Sequence, residues 1–256
     1  MESRKLILVT NDDGIFAPGL KTLVSIAKNH GEVLVVAPNS PQSGMGHAIT
    51  MTQPLRLNKV VVFDDVESYE CSGTPVDCVK LAKNVLLKGR TIDLCLSGIN
   101  HGSNASINIL YSGTMSAAME ASLEQIPSIG FSLLDYSFDA DFEAAANYIS
   151  ELISKVLTSR INNCNLLNVN IPKLKREDIK GVKICRQAEG TWVEEFREGK
   201  DPRNQPYYWL TGQFFCNDDR LDTDLWALEN GYISVVPSGH DLTIHRALDA
   251  NNFLES

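Results

Sequence analysis

No apolar run in this 256-residue chain approaches the roughly 20 residues that a membrane-spanning helix needs. The opening Met1-Glu2-Ser3-Arg4-Lys5 leads straight into a strand, without the long apolar core of a secretion signal, so a cytoplasmic protein is expected. Basic residues are comparatively few: 23 Lys plus Arg stand against 32 Asp plus Glu, a formal net charge of −9. That balance argues against nucleic-acid polymers and anionic membranes as partners, since both demand basic surfaces. Small phosphorylated ligands stay open, because a bound cation and a few backbone N–H groups supply positive potential locally. No two of the cysteines, Cys71, Cys78, Cys95, Cys164, Cys185 and Cys216, stand in a C-x-x-C relation. Free thiols in a reducing compartment are therefore expected rather than disulfides or a zinc centre. Internal repeats and low-complexity tracts are absent, and the length suits one α/β domain with an appendage.

What is present begins with Lys5-Leu6-Ile7-Leu8-Val9-Thr10, a near-continuous apolar run that reads as a parallel-sheet strand buried on both faces. It ends in Asn11-Asp12-Asp13-Gly14. In open α/β sheets ligands bind beyond the carboxyl ends of the strands, and adjacent carboxylates there repel each other unless a cation or a proton neutralises them. A hard divalent ion with oxygen ligands, Mg2+ or Mn2+, is the natural candidate. A plain Asx turn is the competing reading of the same residues.

Helical spacing from Leu20 to Ala27 and the buried run Val33–Ala37 complete a βαβ unit. The Gly- and Pro-rich loop 39–47 leaves that second strand on the same rim as Asp12, so Ser43 or His47 is placed to contribute to a site. Residues 49–72 read as short antiparallel strands. Thr74, Pro75 and Asp77 then start a helix predicted to run through Leu87. Ile92–Ser97 is a buried strand leading into Gly98-Ile99-Asn100-His101-Gly102-Ser103-Asn104. Tyr111-Ser112-Gly113-Thr114 opens a small-residue helix, Met115 to Leu123, whose N-terminus can present N–H groups to an anion. Further on come a strand over 126–133, an amphipathic helix over 142–157, and a strand Leu166–Ile171 expected to complete the core sheet. Aromatic, alternating segments in 180–220 read as hairpins for subunit contact. The acidic stretch 217–224 lacks the Gly and terminal Glu of a calcium loop and reads as a solvated helix start. A strand over 231–237 precedes Asp241 and His245, whose spacing of four lets the carboxylate orient the imidazole.

Asn11-Asp12-Asp13-Gly14, Val-Val-Ala-Pro with Ser43-Gly44, Ser-Gly-Thr-Pro-x-Asp-Cys-Val, Ser97-Gly98-Ile99-Asn100 and Tyr111-Ser112-Gly113-Thr114, in that order, resemble the SurE family of stationary-phase survival proteins. The resemblance spans essentially the whole chain. It implies a metal-dependent hydrolase of nucleoside 5'-monophosphates, a 5'-nucleotidase that also acts on 3'-nucleotides and short polyphosphate. It implies one Mg2+ or Mn2+ per subunit on Asp12, Asp13, Ser43 and Asn100. The substrate-binding set it implies is Asn11, Asn104 and Ser112-Gly113-Thr114, with the Asp241/His245 pair reaching the site and Asp12, Asp241 and His245 as the catalytic group. It further implies a Rossmann-like, three-layer α/β fold with a mostly parallel sheet, read as one domain over 1–256. Residues 180–256 would be a hairpin-rich extension holding a homodimer or homotetramer, with C-terminal segments exchanged between subunits. One departure stands out: Gly102-Ser103-Asn104-Ala105-Ser106 replaces the family's usual Gly-Pro-Asn-x-Gly, which bears on the loop that shapes Asn104.

The chemistry is coherent on the residues themselves. A phosphomonoester needs its charge screened, donors around the phosphoryl oxygens and an in-line water. The acidic pair with its ion and the N–H groups at Gly113 and Thr114 meet the first two needs. A metal-activated water meets the third, with His245 as proton donor to the leaving oxygen. A haloacid-dehalogenase-type phosphatase would instead show Asp-x-Asp after the first strand. A dinucleotide enzyme would show a glycine-rich turn where this chain places negative charge. A non-catalytic nucleotide-binding module is the remaining alternative.

Overall fold

Strand β1 (Leu6–Thr10) is buried along its whole length. Leu6 and Leu8 pack in one core and Ile7 and Val9 in another, on opposite faces of the sheet. This two-sided burial is why the run is continuous rather than alternating, and each such side chain contributes about 1.5–3 kcal/mol. The coordinates are a computed structural model that describes residues 4–137, 139–159 and 161–248.

After β1 come α1 (Pro18–Ala27), β2 (Glu32–Pro38), β3 (Leu57–Val60), β4 (Glu67–Cys71), α2 (Pro75–Leu81), β5 (Leu94–His101), α3 (Gly113–Leu123) and β6 (Ser128–Leu133). The chain continues through α4 (Ala146–Ser159), β7 (Leu166–Ile171), β8 (Val182–Ile184), β9 (Gly190–Lys200), β10 (Pro206–Cys216), α5 (Asp224–Glu229) and β11 (Ile233–Ser238). The central nine-stranded sheet has the order β3-β4-β2-β1-β5-β6-β7-β11-β8. Its middle, from β4 to β7, is parallel, and β3, β11 and β8 run the other way. Helices α1 and α4 share the core of Ile7 and Val9, while Cys78 and Val79 of α2 and Ala117 and Ala121 of α3 share that of Leu6 and Leu8. The fold is a three-layer, Rossmann-like α/β arrangement.

From β1 the chain builds outward through β2 to β4, then crosses back to place β5 on the other side of β1. The seam between β1 and β5 is the topological switch point, where the loops leaving two neighbouring strands diverge and open a crevice. Gly19 lets α1 lie against this seam, since a Cβ there would sit 2.1 Å from the Ile99 carbonyl oxygen.

Several boundaries differ from expectation for local reasons. Residues 49–56 form no strand, and β3 stops before the exposed Val61. The helix after Pro75 ends as α2 at Leu81 and continues as a π-helical turn, Ala82–Leu86. Helix α4 starts at Ala146 because the Asp141 carboxylate accepts the N–H groups of Glu143 and Ala144 and holds that stretch in a turn. The sheet does not end at β7: β11 adds to it antiparallel, and β8 follows β11. Of the strands in 180–248, β9 and β10 form a two-stranded ribbon separate from the central sheet; residues 249–256 lie outside the described set. The 217–224 stretch is not solvated throughout, because Asp218 receives Arg186 and Arg220, and Asp224 is fully buried. Among the described residues no helix is long and apolar enough to cross a membrane, and all six cysteines are free.

At the carboxyl ends of β6 and β7, Asp135 and Lys173 clasp the neighbouring strands with a 2.9 Å ion pair. The Ser137 hydroxyl and N–H, then Lys173, hold the Asp135 carboxyl down at about 2, from an ordinary value of 3.8. A depressed carboxylate stabilises the fold above its unfolded pKa and loses that contribution as pH falls through the folded one. Asp135→Asn is therefore expected to melt below wild type at pH 7, with the gap closing between pH 4 and pH 2. Thermal denaturation across that window checks it, and a gap that persists at pH 2 contradicts the assignment.

Candidate active site

The structure shows Asn11-Asp12-Asp13-Gly14 as an Asx turn. The Asn11 amide donates to the Gly14 carbonyl at 3.0 Å and accepts the Gly14 N–H at 3.2 Å, closing the turn with Gly14 at φ +99°. Asn11 is fully buried, so the structure places it as the brace of the turn. Bracing that turn projects Asp12 and Asp13 from the carboxyl end of β1.

Asp12 is 4 % exposed and receives both the hydroxyl and the backbone N–H of Thr114. Those donors come from the first turn of α3, whose helix dipole favours an anion by on the order of 1 kcal/mol. Burial nevertheless wins. It pushes the Asp12 carboxyl up from 3.8 to about 6, opposed by the Thr114 hydroxyl and reinforced by the Asp13 charge. The shift amounts to a deficit on the order of 3 kcal/mol against the charged form. Asp13 is pushed up as well, chiefly by burial, while the His101 N–H approaches its Oδ2 at 3.4 Å.

His101 and Asn100 reach this point through an irregularity in β5. Its register against β6 shifts between Ser97 and Asn100, and Gly98 adopts φ +127° with the Phe131 carbonyl 2.4 Å from where a Cβ would stand. Such a bulge re-aims the residues after it. Asn100 donates its amide to the Gly102 carbonyl at 3.0 Å. The loop after β2 is tied down by the Gln42 N–H on the Asp12 carbonyl at 2.8 Å, which holds the exposed Ser43 on this rim.

The first turn of α3, where a phosphate is expected at Ser112-Gly113-Thr114, lies against Asp12, to which the Thr114 hydroxyl donates. Ser112 caps α3 by accepting the Met115 N–H, and Gly113 lets the helix approach, since a Cβ there would lie 2.8 Å from the Asp12 Cβ. Asn104 is buried and threefold held. Its N–H donates to the Asn170 side-chain oxygen, its amide donates to the Ser132 hydroxyl, and its carbonyl accepts the Asn168 amide. Asn168 and Asn170 escaped the sequence reading. Their signal was two asparagines at i and i+2 inside a strand otherwise buried on both faces.

Ser106, standing where the family usually has glycine, adopts φ +54°, a conformation that costs a non-glycine residue on the order of 1–2 kcal/mol. Its N–H donates to Asp224, its hydroxyl donates to the Ala188 carbonyl, and it accepts the Gly190 N–H. These bonds offset the strain and tie the loop to the base of the ribbon. Asp241 and His245 pair with each other at 2.7 Å, Nε2 to Oδ2, on an exposed segment. β11 is antiparallel to β7, with Ser238 opposite Leu166, so the chain leaves it at the rim opposite Asp12.

As a metal site the set is all-oxygen: two carboxylates, a hydroxyl and an amide carbonyl. Among the described residues no group of three His, Cys, Asp or Glu is placed to hold a metal ion, and the donors named are of the kind that suits a hard ion. Paired carboxylates that resist ionisation fit a cation that would restore their charge. Beside them, across the β1–β5 seam, the facing Thr10 and Ser97 bury hydroxyl oxygens without any protein partner.

Gly113→Ala is expected to force α3 off Asp12 and cost about 1–3 kcal/mol by overpacking. Urea denaturation measures this, and an unchanged midpoint would show that the helix does not rest on the carboxylate.

A family model described as "Survival protein SurE" matches residues 7–194. Curated proteins named "5'-nucleotidase SurE" are similar over nearly their full lengths. That of Flavobacterium psychrophilum is 57 % identical over 251 residues, covering 98 % of this chain and 97 % of the relative. That of Bacteroides thetaiotaomicron is 44 % identical, at 98 % and 97 % coverage. The crystal structure of the SurE protein from Aquifex aeolicus superposes with a TM-score of 0.84 at 41 % identity, covering 98 % of this chain and 100 % of that one.

Proposed function

The chain belongs to the survival protein SurE family, and from that premise we propose that it is a metal-dependent 5'-nucleotidase. It would hydrolyse nucleoside 5'-monophosphates to nucleoside and phosphate, with 3'-nucleotides and short polyphosphate as further substrates. The observation that carries the reading is the buried Asp12 beside the half-buried Asp13 at the switch point, with the first turn of α3 against Asp12.

Asp12, Asp13, Ser43 and the Asn100 amide oxygen would hold one Mg2+ or Mn2+. When bound, that ion supplies positive charge to screen the phosphoryl oxygens. The chain's own part is binding and orientation. Thr114 fixes Asp12, the bulge in β5 aims Asn100, and Asn104 with Gly113 and Thr114 lines the phosphate approach. Water adds to phosphorus and the ester P–O bond breaks, so the leaving nucleoside oxygen needs a proton. His245 would supply it from Nδ1, since Asp241 occupies Nε2. Asp241 is suited to this, because the Thr243 hydroxyl and N–H and then His245 hold its carboxyl below the ordinary range.

Because the pair leaves the sheet at the far rim, it would serve the site of a second copy. The ribbon offers a contact surface for such a homodimer or homotetramer, with Phe196, Tyr208, Trp209 and Leu210 all more than half exposed.

Phosphate release from a nucleoside monophosphate panel with Mg2+, Mn2+ or EDTA tests the proposal. Chelation is expected to abolish turnover, and Asp12→Asn to lower it at least about 100-fold. Turnover untouched by EDTA, or none with any metal, overturns it. His245→Ala should slow hydrolysis of AMP by about 10²–10⁴-fold, and far less that of an activated aryl phosphate whose leaving group needs no proton. Mixing His245→Ala with Asp12→Asn should restore activity if the histidine acts across subunits. Equal losses on both esters exclude the proton-donor role.

A further inference from the structure

The loop that carries Ser43 gains little from its own packing. Residues 39–47 form neither helix nor strand, and Gly44 and Gly46 take φ +74° and +54°, with open space where a Cβ at Gly44 would stand. Such a segment keeps its shape only where it is tied down. On the near side of Ser43 the tie is the Gln42 N–H on the Asp12 carbonyl at 2.8 Å. On the far side the Gly46 N–H meets the Tyr111 carbonyl at 3.2 Å, and His47, the first side chain after the two glycines, reaches α3. Its Nε2 lies 3.0 Å from Glu120 Oε2 and, since a carboxylate only accepts, carries the proton.

Glu120 is 4 % exposed, and its other oxygen receives Lys80 from α2. Burial pushes its carboxyl up, yet Lys80 and then His47 outweigh burial and hold it below its ordinary range. An ion pair in open solvent is worth little. Here the histidine is one of two donors to a charge inside the fold, and a buried charge that loses a partner is costly.

The place of Glu120 on α3 gives the pair its consequence. It stands seven residues on from Gly113, two turns along the helix and on the same face. The first turn of that helix holds Asp12 through Thr114. One helix therefore fixes both halves of the proposed ion set, Asp12 at its start and the Ser43 loop further down. Beyond His47, the Ala48 carbonyl accepts the Thr74 hydroxyl at 2.7 Å and the Thr50 hydroxyl donates to Asp77 at 2.6 Å, which clamps the chain to α2.

We propose that His47 and Glu120 are positioning residues: their pair seats the loop against α3 and so sets the Ser43 hydroxyl beside Asp12 and Asp13, with neither residue touching ion or substrate. The inference rests on the nucleotidase reading for its ion and goes beyond it in assigning what holds that ligand in place.

Mn2+ titrated into the protein by calorimetry, with no nucleotide present, reads the ligand set apart from turnover. His47→Ala is expected to bind Mn2+ about 10-fold more weakly than wild type. Its hydrolysis of AMP should be slow at limiting Mn2+ and recover toward wild type as Mn2+ is raised, a dependence that a fold defect alone does not produce. His47→Gln, whose amide nitrogen stands the same number of bonds from Cα and can donate to Glu120, should restore the affinity. Lys80→Met removes the other donor to the same carboxylate and leaves the loop alone, so it should lower the melting temperature without weakening Mn2+ binding. Affinity unchanged in His47→Ala, or lost equally in His47→Gln or in Lys80→Met, overturns the positioning role. A wild type that binds Mn2+ but hydrolyses no ester overturns the nucleotidase reading, and the variant titrations still decide this one. No Mn2+ binding by wild type overturns both.

Discussion

Two neighbouring carboxylates held out of water are the constraint around which this protein is arranged. Asp12 holds its charge less readily than an ordinary carboxylate, since burial outweighs what Thr114 and the α3 dipole return. The surroundings look built to keep that tension rather than relieve it. Asn11 braces the turn, Gly113 brings the helix within contact, and the irregularity in β5 delivers the His101 N–H to Asp13. In the proposed function, an external cation would supply the positive charge that this pocket lacks.

The parallel centre of the sheet was legible because two-sided burial writes itself as unbroken apolar runs, as in Leu6–Val9 and Val33–Ala37. The rim loops were legible because polar, glycine-rich segments follow each of those runs. What escaped has physical causes. Strand β8 is three residues long and carries no pattern, and β11 gives no hint of its direction. The resident anion at α3 was invisible because a helix start that welcomes a phosphate and one that welcomes a carboxylate read alike. The threefold hold on Asn104 depends on Asn168 and Asn170, over sixty residues away, and only the register of β7 brings them there.

The direction of β11 separates two parts that the sequence reading had brought together. Antiparallel pairing with β7 carries Asp241 and His245 to the rim away from Asp12. The long β9–β10 ribbon exposes Phe196, Tyr208, Trp209 and Leu210, which is costly for a lone subunit and natural for one that is covered.

The loop from Asn104 to Ser106 is pinned by β7, by the base of the ribbon and by Asp224. Every candidate ion ligand has been synthesised once Asn100 is added, and the start of α3 at Gly113 follows thirteen residues later. The parts that hold the loop in shape emerge only with residues 168 to 224. A growing chain thus carries the acidic pair long before it can present a rigid anion-facing loop beside it. Competence of that loop arrives late in synthesis.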